Sequence, residues 1–271
     1  MEFMTDFSKI ILLSDMDGTL LGDRLNVSER NRRAIEKFIT KGGTFGIATG
    51  RGPAIAKPFI EGVKTNGPSI VYNGAMLYDF RKDTVMEVIT LKKDGLTDIL
   101  SWILTEHKEM MVYVYTEDEG HLISDLCLAD EEVLEGHTPY VVSTLDEVSS
   151  MEWVKILLAG NNENLGAVRS LLEGKNLTDC RWVNSSDIFL EILPAGVSKA
   201  TLFPKLKERF GRDMNIVVLG DYYNDLEMLK EADYSVAMGN APEDLKVLAK
   251  EVTGTNLEDG VALFIERLLE G

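Results

Sequence analysis

Only two cysteines and three histidines occur among the 271 residues. Cys127 and Cys180 stand far apart, which fits neither a disulfide framework nor a clustered thiolate metal motif, so both read as reduced core thiols. His107, His121 and His137 are isolated too. No two of them share a helical i, i+4 spacing, and they read as surface or packing residues. No apolar run approaches the roughly 18 residues of a membrane span. The first residues set Glu2 and Asp6 ahead of Lys9, unlike a signal peptide. The expectation is a soluble, cytoplasmic chain with no membrane partner. Basic charge is scarce as well: 28 Lys and Arg face 45 Asp and Glu, a formal net charge of −17. That argues against nucleic acid as a partner, because such binding rests on neutralising phosphates. Gly50-Arg51-Gly52 has Ile55 where a dinucleotide fingerprint needs its third glycine, and no P-loop string occurs. No repeat of fixed period and no low-complexity tract interrupts the chain.

What is present is ordinary globular material, 45% hydrophobic and 27% charged, enough to bury a core. Strand-like runs at Lys9 to Leu13, Thr44 to Ala48 and Ser69 to Tyr72 alternate with a helix opened by Ser28 and closed before Gly42, and with a short helical segment around Pro53 to Glu61. The pattern returns near the C-terminus. Ser198 is placed to cap a helix through Phe210, Asn215 to Leu219 reads as a strand, Asp225 to Ala232 as a helix and Tyr234 to Ala237 as a strand. Pro242 suits a helix first turn, and Gly260 to Leu269 reads as a last helix. Alternation of this kind implies a parallel α/β sheet of Rossmann-like type. Between the two blocks the texture changes to helix-like segments, Leu91 to Glu106 and Glu163 to Leu172, among strand-like ones. Residues 84–187 are therefore expected to form an inserted α+β domain, and 1–83 with 188–271 a discontinuous core.

The sharpest local feature is Asp15-Met16-Asp17-Gly18-Thr19-Leu20, directly after the first apolar strand. It fits an ordinary Asp- and Gly-rich turn or a pair of carboxylates aimed at one point. A calcium loop is excluded, since Gly18 falls at the fourth position and Asn26 stands where the bidentate Glu belongs. Three more strand ends carry polar residues: Thr49-Gly50-Arg51, Asn73-Gly74, and Gly220-Asp221-Tyr222-Tyr223-Asn224-Asp225. Ligands of open parallel sheets bind outside the carboxyl ends of the strands. Two carboxylates about 4 Å apart repel by roughly 4 kcal/mol at an effective dielectric of 20. Clustering Asp15, Asp17 and Asp221 therefore calls for a counter-charge, and a hard divalent cation such as Mg²⁺ answers it. Lys199 is a second source of positive charge, although alone it reads as a solvated helix residue. Tyr222 and Tyr223 read as core-packing residues, as do most of Trp102, Tyr113, Tyr115, Trp153 and Trp182.

Taken together, the ordered set resembles the four motifs of the haloacid dehalogenase-like phosphohydrolases: Asp15 to Thr19 the first, Thr49-Gly50-Arg51 the second, Lys199 the third, and Gly220-Asp221 through Asn224-Asp225 the fourth. Asn73-Gly74-Ala75, Ala237-Met238-Gly239-Asn240-Ala241 and Thr255-Asn256 followed by Asp259-Gly260-Val261 resemble the Cof-type subgroup, whose α/β cap lies between the second and third motifs. The resemblance implies a phosphatase of small phosphorylated metabolites, a sugar phosphate or a phosphorylated cofactor. Asp15 would be the nucleophile that becomes an aspartyl-phosphate, Asp17 the proton carrier, and Lys199 a catalytic cation. Thr49, Gly50, Arg51, Asn73 and Asn224 would hold phosphate or substrate. Mg²⁺ would be held by Asp15, the Asp17 backbone carbonyl and Asp221, with Asp225 in support. A phosphomutase using the same intermediate, or a non-catalytic regulator that binds a phosphometabolite, remains an alternative. Retention of both Asp15 and Asp17 speaks against the regulator.

Overall fold

The computed structural model describes residues 6–23, 25–125, 139–175, 177–184 and 188–270. Two compact units divide the chain: one runs to Glu87 and resumes at Ser198, and the other spans Val88–Val197. The first unit holds strands β1 (Ile10–Ser14), β2 (Thr44–Ile47), β3 (Ser69–Val71), β4 (Met76–Asp79) and β5 (Thr84–Val88), the last ending at the division. The second holds β6 (Met111–Tyr115), β7 (Gly120–Leu122), β8 (Val141–Val142), β9 (Lys155–Ala159), β10 (Cys180–Asn184) and β11 (Phe189–Pro194). The first unit then adds β12 (Asn215–Gly220), β13 (Tyr234–Ala237) and β14 (Glu251–Val252).

In the first unit, β14-β13-β12-β1-β2 form a five-stranded sheet, parallel at every pairing. Strand β1 is interior and buried along its whole length, which is why it reads as an unbroken apolar run. Its Ile10 and Leu12 pack with Ile35 and Phe38 of the helix Glu29–Thr40 and with Phe264 and Ile265 of the helix Gly260–Glu270. The Ser28 side chain caps the first of these helices by accepting from the Asn31 amide at 3.0 Å. From β1 the chain moves to β2 on one side, and later to β12, β13 and β14 on the other. The order reverses between β1 and β12, the kind of switch point outside which ligands of open α/β sheets bind.

The second unit is a mixed six-stranded sheet, β10-β11-β9-β6-β7-β8, antiparallel except for β7 with β8. One face carries Val112, Val114, Ile156, Leu158, Leu190 and Ile192, covered by the helices Leu96–Glu106 and Asn162–Gly174 and anchored by Trp153. Cys180 is a buried free thiol in this core, while Cys127 and His137 lie outside the described residues. Among the described residues, no helix is long and apolar enough to cross a membrane.

Three expectations are corrected. Strand β11 pairs with β9 and β10, so residues 188–197 belong with the second unit and the division falls after Val197 rather than after Asp187. Ser198 caps no helix: the helix begins at Phe203, and Ser198 instead closes a turn whose amide donates to Thr201 Oγ1 at 2.7 Å. The segment Leu91 to Gly95 is not helical either, since Leu91 bridges to Trp153 before the helix starts at Leu96.

The Tyr72–Gly74 turn, with all three residues at positive φ, sits against the Ser198 turn, and a Cβ on Gly74 (φ +101°) would collide with the Ser198 carbonyl. Gly74→Ala is expected to destabilise the protein by about 1–3 kcal/mol, read as a lower urea midpoint at unchanged m-value. An unchanged midpoint would show that the turn relaxes freely.

Candidate active site

Parallel register builds the site. Ser14 stands beside Leu219 at the ends of β1 and β12, and the Asp15 amide donates to the Leu219 carbonyl at 2.9 Å. Asp15 thereby adjoins the loop carrying Asp221 and Asp225. On the other flank the Ala48 amide donates to the Ser14 carbonyl at 2.8 Å, which sets Thr49 alongside.

Lys199 enters from the Ser198 turn and is fully buried, not solvated as its sequence context alone suggests. Its ammonium donates to Asp15 Oδ1 at 2.7 Å and to Asp225 Oδ1 at 2.6 Å. Asp225 Oδ2 accepts from the amides of Asp221 at 2.8 Å and Tyr222 at 3.2 Å, so both of its oxygens are engaged. Asp221 is oriented by neutral donors: the Thr19 hydroxyl donates to Oδ1 at 2.8 Å and Asn240 Nδ2 to Oδ2 at 3.2 Å. Asn240 also donates to the Gly18 carbonyl at 2.8 Å. The Asn256 amide donates to Asn240 Oδ1 at 3.0 Å, and Asn256 Nδ2 to the Leu21 carbonyl at 2.9 Å. Gly18 (φ +74°) lies so close that a Cβ there would strike the Asp221 carboxylate.

The phosphate-binding residues expected from sequence form a rim. The Asn73 amide donates to the Thr49 carbonyl at 3.0 Å, the Arg51 amide donates to Thr49 Oγ1 at 3.1 Å, and Gly50 abuts the Asn73 side chain. Asn224 Nδ2 reaches Asn73 Oδ1 at 3.5 Å, a weak contact. The Asp17 side chain turns out of the acidic cluster and is gripped by Arg51 through two hydrogen bonds, 2.8 and 2.7 Å. Thr19, Asn240 and Asn256 lie within motif strings visible in the sequence, but nothing there shows that the Thr19 and Asn240 side chains converge on Asp221, or that the Asn256 amide holds Asn240. Tyr222 and Tyr223 are corrected: they are half exposed and packed edge to face on each other, because the turn that sends Asp225 inward sends its neighbours out.

Burial raises the Asp15 carboxyl well above the ordinary range, Asp225 adds to this, and Lys199 opposes it. Burial likewise pushes Asp221 up to about 6, against the Thr19 hydrogen bond. Burial also pulls the Lys199 ammonium down, but Asp15 and Asp225 outweigh it and hold the group above its usual value. Asp15, Asp221 and Asp225 offer oxygens that all lie within 4.8 Å of one another. Three buried carboxylates share one ammonium, so the donor set fits a divalent cation that prefers oxygen. With Asp225 engaged by Lys199 and two amides, Asp15 and Asp221 are the side chains left to hold it.

Because Asp15 and Asp221 take up protons more readily in the metal-free folded protein than when unfolded, stability falls as pH rises through their folded values. In EDTA, the melting temperature is expected to rise as pH is lowered from 7 to 5. Saturating Mg²⁺ should raise it at pH 7, and Asp221→Asn should flatten both responses. A melting temperature that drops steadily over that pH interval in EDTA would contradict this account.

The model of the haloacid dehalogenase-like hydrolase family matches residues 12–265. A 5-amino-6-(5-phospho-D-ribitylamino)uracil phosphatase of Bacillus subtilis is 30% identical over 255 residues, covering 93% of this chain and 92% of its own. A pyridoxal phosphate phosphatase of Escherichia coli is 27% identical over 266 residues, with coverage of 94% and 97%. A crystal structure of a haloacid dehalogenase-like hydrolase from Bacteroides thetaiotaomicron superposes with a TM-score of 0.83 at 28% identity, covering 96% of this chain and 99% of that one. The chain is an enzyme that belongs to the haloacid dehalogenase-like hydrolases, in their Cof-type phosphatase subgroup.

Proposed function

We propose that the protein is a Mg²⁺-dependent phosphatase of a small phosphorylated metabolite, a sugar phosphate or a phosphorylated cofactor, acting through an aspartyl-phosphate on Asp15. The observation that carries this reading is the buried Asp15 carboxylate at the end of an interior strand, held by the Lys199 ammonium beside Asp221. The two relatives named as phosphatases of 5-amino-6-(5-phospho-D-ribitylamino)uracil and of pyridoxal phosphate support the substrate class.

In the first step an Asp15 oxygen forms a bond to phosphorus and the ester P–O bond breaks. The electron pair leaves on the alcohol oxygen, which takes a proton from Asp17. In the second, water bonds to phosphorus and gives its proton to Asp17. The bond to Asp15 breaks, and phosphate departs with the starting carboxylate restored. Lys199 keeps negative charge on Asp15 tolerable while it is buried. Thr49, Gly50, Asn73 and Asn224 orient the phosphoryl oxygens, and Asp225 orients Lys199. Asp15, Asp221 and the Asp17 carbonyl are assigned to Mg²⁺, which when bound supplies the positive charge that keeps neighbouring carboxylates ionised and offsets that of the phosphoryl group.

A panel of sugar phosphates, nucleotides and phosphorylated cofactors, scored by phosphate release, tests the proposal. Turnover is expected with Mg²⁺ and not with EDTA. Asp15→Asn should lower it by about 10⁴-fold or more, and Asp17→Asn by about 10²- to 10⁴-fold. Turnover that survives Asp15→Asn would remove the covalent mechanism.

A further inference from the structure

Resting on the phosphatase reading above, we propose that Arg51, itself held by the ring of Phe59, is the positioning residue that aims Asp17 at the leaving oxygen. Asp17 needs such a partner. Its backbone lies in an extended loop conformation (φ −73°, ψ 123°) just before Gly18 at φ +74°, and its side chain is 46% exposed. Asp15 is fixed by a buried ammonium, whereas an unheld Asp17 would be free to sample three χ1 wells. A misplacement of about 1 Å costs on the order of 10²-fold in rate. Arg51 Nε and Nη2 bond the two Asp17 oxygens separately, the paired geometry that fixes a carboxylate's plane as well as its place.

Arg51 is in turn pinned along its length. Its amide donates to Thr49 Oγ1 at 3.1 Å, its carbonyl accepts from the Tyr72 amide at 3.0 Å, and its guanidinium lies 4.2 Å over the centre of the Phe59 ring. Phe59 sits in the short 3₁₀ turn Lys57–Ile60 and packs against the core of the first unit. Rigidity passes from the core through Phe59 and Arg51 to Asp17. A lysine at 51 keeps the charge and loses the fork.

The test compares kcat/KM for two esters: the alkyl phosphate turned over fastest in the panel, whose alcohol must be protonated as it leaves, and p-nitrophenyl phosphate, whose phenolate leaves without a proton. Arg51→Met is expected to lower kcat/KM for the alkyl ester by about 10- to 100-fold and to lower that for the aryl ester by at least about tenfold less. Phe59→Leu should show the same bias more weakly, and Arg51→Lys should fall between Arg51→Met and the unaltered enzyme. Equal losses on both esters, carried by KM, would overturn the proposal and make Arg51 a phosphate ligand. No loss on either ester overturns it too. If the unaltered protein hydrolyses neither ester, the phosphatase reading falls and this inference with it.

Discussion

A single ammonium ties the core of this enzyme together. Lys199 is fully buried and bonds Asp15 on the loop after β1 and Asp225 on the loop after β12, joining three segments far apart in the chain. A buried cation without partners is costly, and removing one partner of such a pair typically loses about 3–5 kcal/mol. The arrangement is therefore fixed by what it would cost to break it. Asp225 extends the grip, because its second oxygen takes the amides of Asp221 and Tyr222 and so sets the start of the loop that presents Asp221.

The same dryness that makes the lysine effective works against the carboxylates. Burial holds both Asp15 and Asp221 above the ordinary carboxyl range, yet a nucleophile must be ionised. One ammonium does not balance three carboxylates in so small a volume. On the proposed reading, the cation requirement and the nucleophile's ionisation are a single electrostatic condition. On the same reading, a chain of net charge −17 would draw an anionic substrate only to the place where the bound cation and Lys199 concentrate positive charge.

Much of this was legible in the sequence, and the rest was hidden for identifiable reasons. Strands β1, β2 and β12 are buried along nearly their whole length, so they announce themselves as apolar runs, and the polar strings after them mark the site. Strand β11 is harder to place, because its membership depends on pairing with β9 and β10 rather than on its own composition. Ser198 and Lys199 look like the start of a helix, since a cap residue before a lysine is locally sensible. Only the approach of Gly74 and of two distant aspartates turns that segment into a buried turn. Tyr222 and Tyr223 invite a packing role by their size, but the inward aim of Asp225 decides their direction.

The four aspartates of the site have the same side chain and are told apart by their partners. Asp225 is saturated by an ammonium and two amides, and is left with structural work. Asp15 has an ammonium on one oxygen, which steadies it, and among the described residues the other oxygen has no cationic partner. Asp17 is matched to a guanidinium near the surface, which holds both of its oxygens. Asp221 alone is oriented by neutral groups, the Thr19 hydroxyl and the Asn240 amide. Neutral donors fix a carboxylate's orientation without placing a counter-charge against it, which leaves Asp221 open to a cation. Strand β13 delivers Asn240 just beyond its end, and the segment after β14 delivers Asn256 to hold it. The far side of the sheet thus serves the site by keeping one carboxylate aimed and unneutralised.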